Sequence, residues 1–151
     1  MPKTISKDTP LAEITLRRYE KPYPTSKREL IRKLCLSIGL LQPGDSRDII
    51  VDLLQVLLDA KKSKKLLNSE EIREKVIKSR KSQKLPLKGV ASSNIRRQLK
   101  RLKDLFLIEK HQNEYRVTEF EDLNIIFEKK IKEIYLKSIL ERVHEYFNAL
   151  K

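Results

Sequence analysis

Residues 92–120 read SSNIRRQLKRLKDLFLIEKHQNEYRVTEF, and the stretch holds two periodicities back to back. At about 100° per residue, the angular step of an α-helix, Ile95, Leu99, Leu102 and Phe106 fall on one narrow stripe. Arg96, Arg97, Lys100, Arg101 and Lys103 take the far side, while Asn94 and Gln98 share a flank. The spacing predicts an amphipathic helix over 92–106 with a basic solvent face. Residues 107–111 and 114–118 then read as two short strands around Gln112 and Asn113. Asn tolerates the left-handed backbone that a tight turn needs, and the chain has only three glycines, so Asn113 is the expected turn residue.

The sequence before this stretch predicts three more helices. Asn68 and Glu71 form a capping box ahead of Ile72, Val76 and Ile77, a helix that fades into the polar, Pro-containing residues 79–89. Asp45 or Ser46 can cap a helix running through Ile49, Ile50, Leu53, Leu54, Val56, Leu57 and Leu58, apolar over most of its circumference and so buried centrally. Ser26 and Glu29 suggest another capping box for a helix over 26–40, with Leu30, Ile31, Leu34, Ile38 and Leu41 at helical spacing. Cys35 lies inside its apolar face and reads as a buried side chain rather than a nucleophile. The first 25 residues hold Pro2, Pro10, Pro22 and Pro24 around a short Ile14, Leu16 alternation, which fits an arm or an edge strand.

On the C-terminal side, residues 122–150 form the longest helical pattern. Phe127, Ile131 and Ile134 are followed by Leu136, Leu140, Val143, Phe147 and Leu150, with Ile139 and Tyr146 widening the stripe. An apolar repeat of about 3.5 residues on a terminal helix packs on its own domain or on the same helix of a second chain. The length of the stripe favours a homodimer through this helix.

Charge is concentrated in one place. Of the formal net charge of +13, the whole surplus falls in residues 61–103, which hold 16 Lys or Arg against 3 Glu. Such a block is the footprint of a surface that meets phosphates or an anionic membrane, although a solvated lysine-rich face is the plainer explanation. Several other classes find no support in the sequence. No apolar run approaches the roughly 18 residues of a membrane span, and the N-terminus lacks the apolar centre of a signal peptide, so the expected location is cytoplasmic. One cysteine and two distant histidines, His111 and His144, give no metal-ligand spacing, and no Gly-rich phosphate loop is present; neither a metal nor a cofactor is expected.

The order helix, helix, basic helix, hairpin over residues 45–121 resembles the winged helix-turn-helix DNA-binding domain of prokaryotic transcriptional regulators, those of archaea among them. Leu99-Lys100-Arg101-Leu102 and Tyr115-Arg116-Val117-Thr118 are closest to the family's pattern. The resemblance implies a mostly α fold with a small β-hairpin, a winged helix-turn-helix with N-terminal (1–44) and C-terminal (122–151) helical extensions. It further implies that Ser92, Ser93, Asn94, Arg97, Gln98 and Arg101 face a major groove, with Arg96 and Lys100 beside them. Lys110, His111, Gln112, Asn113 and Arg116 would belong to the wing. One departure is the connection before the basic helix, about ten residues around Pro86 and Gly89 where the family has a short turn.

Elementary chemistry agrees with the resemblance. Arg and Lys neutralise phosphates, Arg can pair bidentately with guanine, and Asn or Gln with adenine. The leading expectation is a non-enzymatic regulator that binds double-stranded DNA as a homodimer. The alternative is a winged-helix module that binds protein or RNA inside a nucleoprotein assembly, since the fold serves both. An enzyme is the weakest reading, because no Ser or Cys has a nucleophile context and the carboxylates are spaced as helix-surface pairs. Membrane association through the lysine run at 61–65 ranks below DNA. His111 reads as a turn residue, with phosphate contact or pH sensing as its functional alternative, and His144 as a surface or interface residue.

Overall fold

α2 (Ile49–Lys62) stands at the centre, because its apolar residues surround it: Ile49, Ile50, Val51, Leu53, Leu54, Val56 and Leu57 are all buried. In this computed structural model, which describes residues 8–151, α2 packs against α1 (Lys27–Ser37), α3 (Ser69–Ser82), α4 (Ser92–Asp104) and strand β3 (Glu114–Val117). The chain is mostly helical, with one three-stranded antiparallel sheet of order β1-β3-β2. β2 (Ile108–His111) and β3 make the hairpin, in the register Ile108↔Val117 to His111↔Glu114. β1 (Leu67–Asn68), of which the sequence reading takes only Asn68, as a helix cap, pairs on the other edge of β3 through Leu67↔Tyr115.

Helix starts differ from expectation where side chains have other work. The Asn68–Glu71 capping box of α3 is complete in both directions. At α1, Ser26 accepts the Glu29 N–H at 3.2 Å, but the Glu29 carboxylate lies 3.5 Å from Arg32 instead of reaching back. Neither Asp45 nor Ser46 caps α2. Asp45 closes a local turn on the Arg47 N–H, the helix begins after Asp48, and Asp48 makes no cap bond because its oxygens accept from Arg28 and Arg80.

α1, α2, α3 and α4 end in the same left-handed cap. The residue after the C-cap has positive φ, and two amides return to carbonyls inside the last turn. In α1 this residue is Gly39 (φ 77), with Leu40 N bonded to the Cys35 carbonyl, so the helix stops at Ser37 rather than at residue 40. A Cβ on Gly39 would also sit 2.6 Å from the Cβ of Thr15, where the arm crosses. In α2, α3 and α4 the position falls to Lys64, Lys84 and Phe106. Phe106 is thus past the end of α4 rather than on its stripe, and its ring meets Tyr135 edge-on at 5.4 Å.

The hairpin turn also differs: the left-handed residue is Gln112 (φ 56), not Asn113. Residues 8–25 form an extended arm without strand structure; the part of the arm before residue 8, with Pro2, lies outside the described residues. Arg17 ties the arm down, bonding by its backbone N–H to the Ser37 carbonyl and by its guanidinium to the carbonyls of Leu36 and Leu41.

After a short turn, α5 (Leu123–Ile126) runs through a π-type segment (Phe127–Leu136) into α6 (Lys137–Ala149). The i→i+5 pattern has a wider turn than an α-helix, so the inward stripe drifts. Ile126 and Ile131 are buried and the Tyr135 hydroxyl bonds both the N–H and the carbonyl of Glu13, while Ile134 turns out to solvent at 63% exposure. The front of this helix packs on the chain's own core, whereas α6 buries no residue. No helix among the described residues is long and apolar enough to cross a membrane.

Candidate nucleic-acid interface

α4 is fixed by Ile95, Leu99 and Leu102, each with no exposed surface, together with buried Leu105. With that stripe inward, helical geometry turns Ser93, Arg96, Arg97 and Lys100 directly outward, and all four are exposed. Lys100 pairs with Asp104 at 2.7 Å, and Arg97 donates to the Asn94 side-chain Oδ1 at 2.8 Å. Ser92 opens the helix and donates to Glu70 on α3 at 2.8 Å.

The flank formed by Asn94, Gln98 and Arg101 is half-buried and already bonded. Asn94 donates to the Gly89 carbonyl at 2.8 Å and accepts from Gln98, Gln98 accepts from Arg101 at 2.8 Å, and Arg101 reaches the Gly39 carbonyl at 3.5 Å. These three side chains steady α4 against its neighbours, and they would have to exchange partners before meeting a ligand.

The long connection before α4 is strapped along α3. Arg80 Nε donates to the Pro86 carbonyl at 2.7 Å and Arg73 Nε to the Val90 carbonyl at 2.6 Å. Arg80 is 3% exposed and also donates to Asp52 at 2.5 Å and Asp48 at 3.1 Å, and Arg28 from α1 completes the network on the same two carboxylates. Burial would raise the Asp48 pKa, yet the bonds and charges of Arg28 and Arg80 hold it below its ordinary value. Desolvation likewise works against the charge on Arg28, but Asp52 and Asp48 reverse it and raise its pKa. This cluster escaped the sequence reading, although a carboxylate such as Asp52 on an otherwise apolar central helix signals a buried partner.

Two of the sixteen basic residues in 61–103, Arg73 and Arg80, are therefore structural straps. Lys61 and Lys100 pair with Asp122 and Asp104, which leaves twelve without a carboxylate partner among the described residues. They lie on the end of α2 and the turn after it, on α3, on the connection and on α4, and the three helices pack on one another.

At the hairpin tip Lys110, His111, Gln112 and Asn113 are exposed, with the Lys110 ammonium 5.7 Å from the centre of the Tyr115 ring. Arg116 is held back: it bonds Glu109 at 2.5 Å and stacks 4.8 Å over Phe120. His111 does have a carboxylate, its Nε2 lying 3.0 Å from Glu109. Residues two apart share a strand face, so this pairing was open to inspection in the sequence. Burial would raise the Glu109 pKa, but hydrogen bonds from His111, the Glu119 N–H and Arg116 outweigh it and lower it.

Cys35 is fully buried, and burial, opposed only by the charge of Arg101, pushes its thiol up to about 12, far from the thiolate form. No three metal-ligating side chains converge among the described residues. No family model, curated protein or solved structure matches the chain.

Proposed function

We propose that this chain is a winged helix-turn-helix DNA-binding protein, a non-enzymatic cytoplasmic regulator of transcription that binds duplex DNA as a homodimer. The observation that carries the reading is the placement of an outward basic helix, α4, beside an exposed hairpin whose inner strand also pairs with β1. A helix of this size fits a major groove, and a rigid hairpin next to it can follow the adjoining backbone. Ser93, Arg96, Arg97 and Lys100 are then the groups that meet the groove first, with Lys110, His111, Gln112 and Asn113 at the wing. Ser92, Asn94, Gln98, Arg101 and Arg116 act chiefly by holding these elements.

Arg97→Ala tests the reading, because its side chain is exposed and its loss should leave the fold intact. Duplex binding is expected to weaken by about 1–3 kcal/mol if Arg97 reads a base edge. Stability should stay within about 0.5 kcal/mol of the parent, as for most surface changes. Unchanged affinity in both Arg97→Ala and Arg96→Ala would remove α4 from the interface.

Homodimerisation is supported by α6. Leu140, Val143, Phe147 and Leu150 recur at helical spacing and are 46–86% exposed. Exposed apolar strips of this kind mark interfaces, and two-fold pairing would present two copies of α4 to half-sites about 34–36 Å apart. Light scattering is expected to show a dimer for the parent and a folded monomer for Leu140→Glu/Phe147→Glu. A monomeric parent would exclude the homodimer.

A further inference from the structure

Between the arm and α1 runs a groove of about 410 Å³ that the proposed duplex interface does not use. Tyr19 and Tyr23 form its aromatic part and Leu30 and Leu34 its apolar floor, with Tyr23 50% and Leu30 42% exposed. Its rim is cationic: Arg18 and Lys21 are exposed without an ion pair among the described residues, and Lys33 lies 5.4 Å over the Tyr19 ring while touching Glu20, the single carboxylate of the lining. Ser37 of its lining is two residues from Gly39, whose carbonyl receives Arg101 of α4.

Flat rings over an aliphatic floor, edged by unpaired cations, match an aromatic ring that carries an adjacent anion. In a duplex the faces of the bases are covered by their neighbours, so only an unpaired nucleotide can present its ring to Tyr23 and its phosphate to Arg18 and Lys21. We propose that this groove binds a single nucleic-acid strand, stacking an unpaired base on its tyrosines next to the duplex held by α4. The inference rests on the nucleic-acid reading for its partner class but on different residues for its contacts, and the two can fail separately.

The test is fluorescence anisotropy of the full chain with a labelled oligothymidylate of about 12 nucleotides, within the roughly 4–16-nucleotide sites of single-strand binders, and in parallel with a labelled blunt duplex. Tyr23→Leu keeps an apolar side chain but removes the ring face; Arg18→Gln removes one rim charge and reports independently of the ring. Tyr23→Leu is expected to weaken single-strand binding roughly fivefold or more, the low end for loss of one stacked base, with duplex affinity and melting temperature unchanged. Arg18→Gln is expected to weaken it in the same selective way. The same losses in a protein that failed to bind duplex would support the groove while removing the duplex reading. Duplex binding without single-strand binding, or single-strand binding indifferent to both substitutions, would overturn the groove and leave the duplex reading standing. Displacement of the oligothymidylate by polyglutamate as readily as by unlabelled strand would also overturn it, since the groove would then bind any polyanion.

Discussion

Asp52→Ala is expected to destabilise the protein by about 3–5 kcal/mol, the cost of leaving buried positive charge without its partner. Asp52 is 1% exposed and accepts from both Arg28 and Arg80, and Arg80 in turn holds the Pro86 carbonyl of the connection to α4. The loss should therefore loosen the connection as well as the core. Asp52→Leu combined with Arg80→Met is expected to cost less than Asp52→Ala alone, because the double change removes both charges while Arg28 keeps Asp48 at 2.9 Å. Chemical denaturation of the three proteins checks this. A loss below about 1 kcal/mol for Asp52→Ala would mean that water or Asp48 takes over the role. The same network predicts an acid limb. The lowered pKa of Asp48 means that its contribution is present above its ordinary 3.8 and is lost as pH falls through the lower folded value. The raised pKa of Arg28 adds a contribution that is constant over that range. Asp48→Asn should flatten the acid limb.

Leu99→Ala is the second large effect, an expected loss of about 2–5 kcal/mol from a fully buried site. Leu99 sits at the middle of the inward stripe of α4, between Ile95 and Leu102, so the cavity opens directly beneath the outward basic face. DNA binding should weaken along with stability. That coupling separates it from Arg97→Ala, where binding alone should change. Thermal melts and anisotropy on the same two variants distinguish the cases, and a parent-like melt for Leu99→Ala would place the helix the other way round.

How far the sequence could be read depends on the range of the interactions involved. The helix periodicities and the Asn68–Glu71 box are local, and α2, α3, α4 and the hairpin lie where those signals put them within a few residues. The helix ends are less legible, since three of the four caps place Lys64, Lys84 or Phe106 where glycine is the usual signal. β1 was hidden because a two-residue strand exists only through its pairing with the distant Tyr115 and Glu114. The π-type segment broke the heptad reading by shifting the stripe from Ile134 to Tyr135. At the candidate interface, a helical wheel finds the outward face of α4 but not the bonded flank. Whether Asn94, Gln98 and Arg101 are free depends on carbonyls at Gly89 and Gly39, and whether Arg80 is free depends on Asp48 and Asp52, none of which any local pattern reveals.

If the basic surface of α4 and its neighbours holds duplex DNA, binding must depend strongly on salt. Each phosphate neutralised contributes about −0.9 to the slope of log affinity against log salt. Engagement of four of the twelve unpaired basic residues would give a slope of about −3.6, and a wider contact a steeper one. Anisotropy with a labelled duplex over a series of salt concentrations measures it. Tight binding at low salt that falls steeply along this line is the expected result; a flat response, or no binding at the lowest salt, would rule out a duplex interface on this surface.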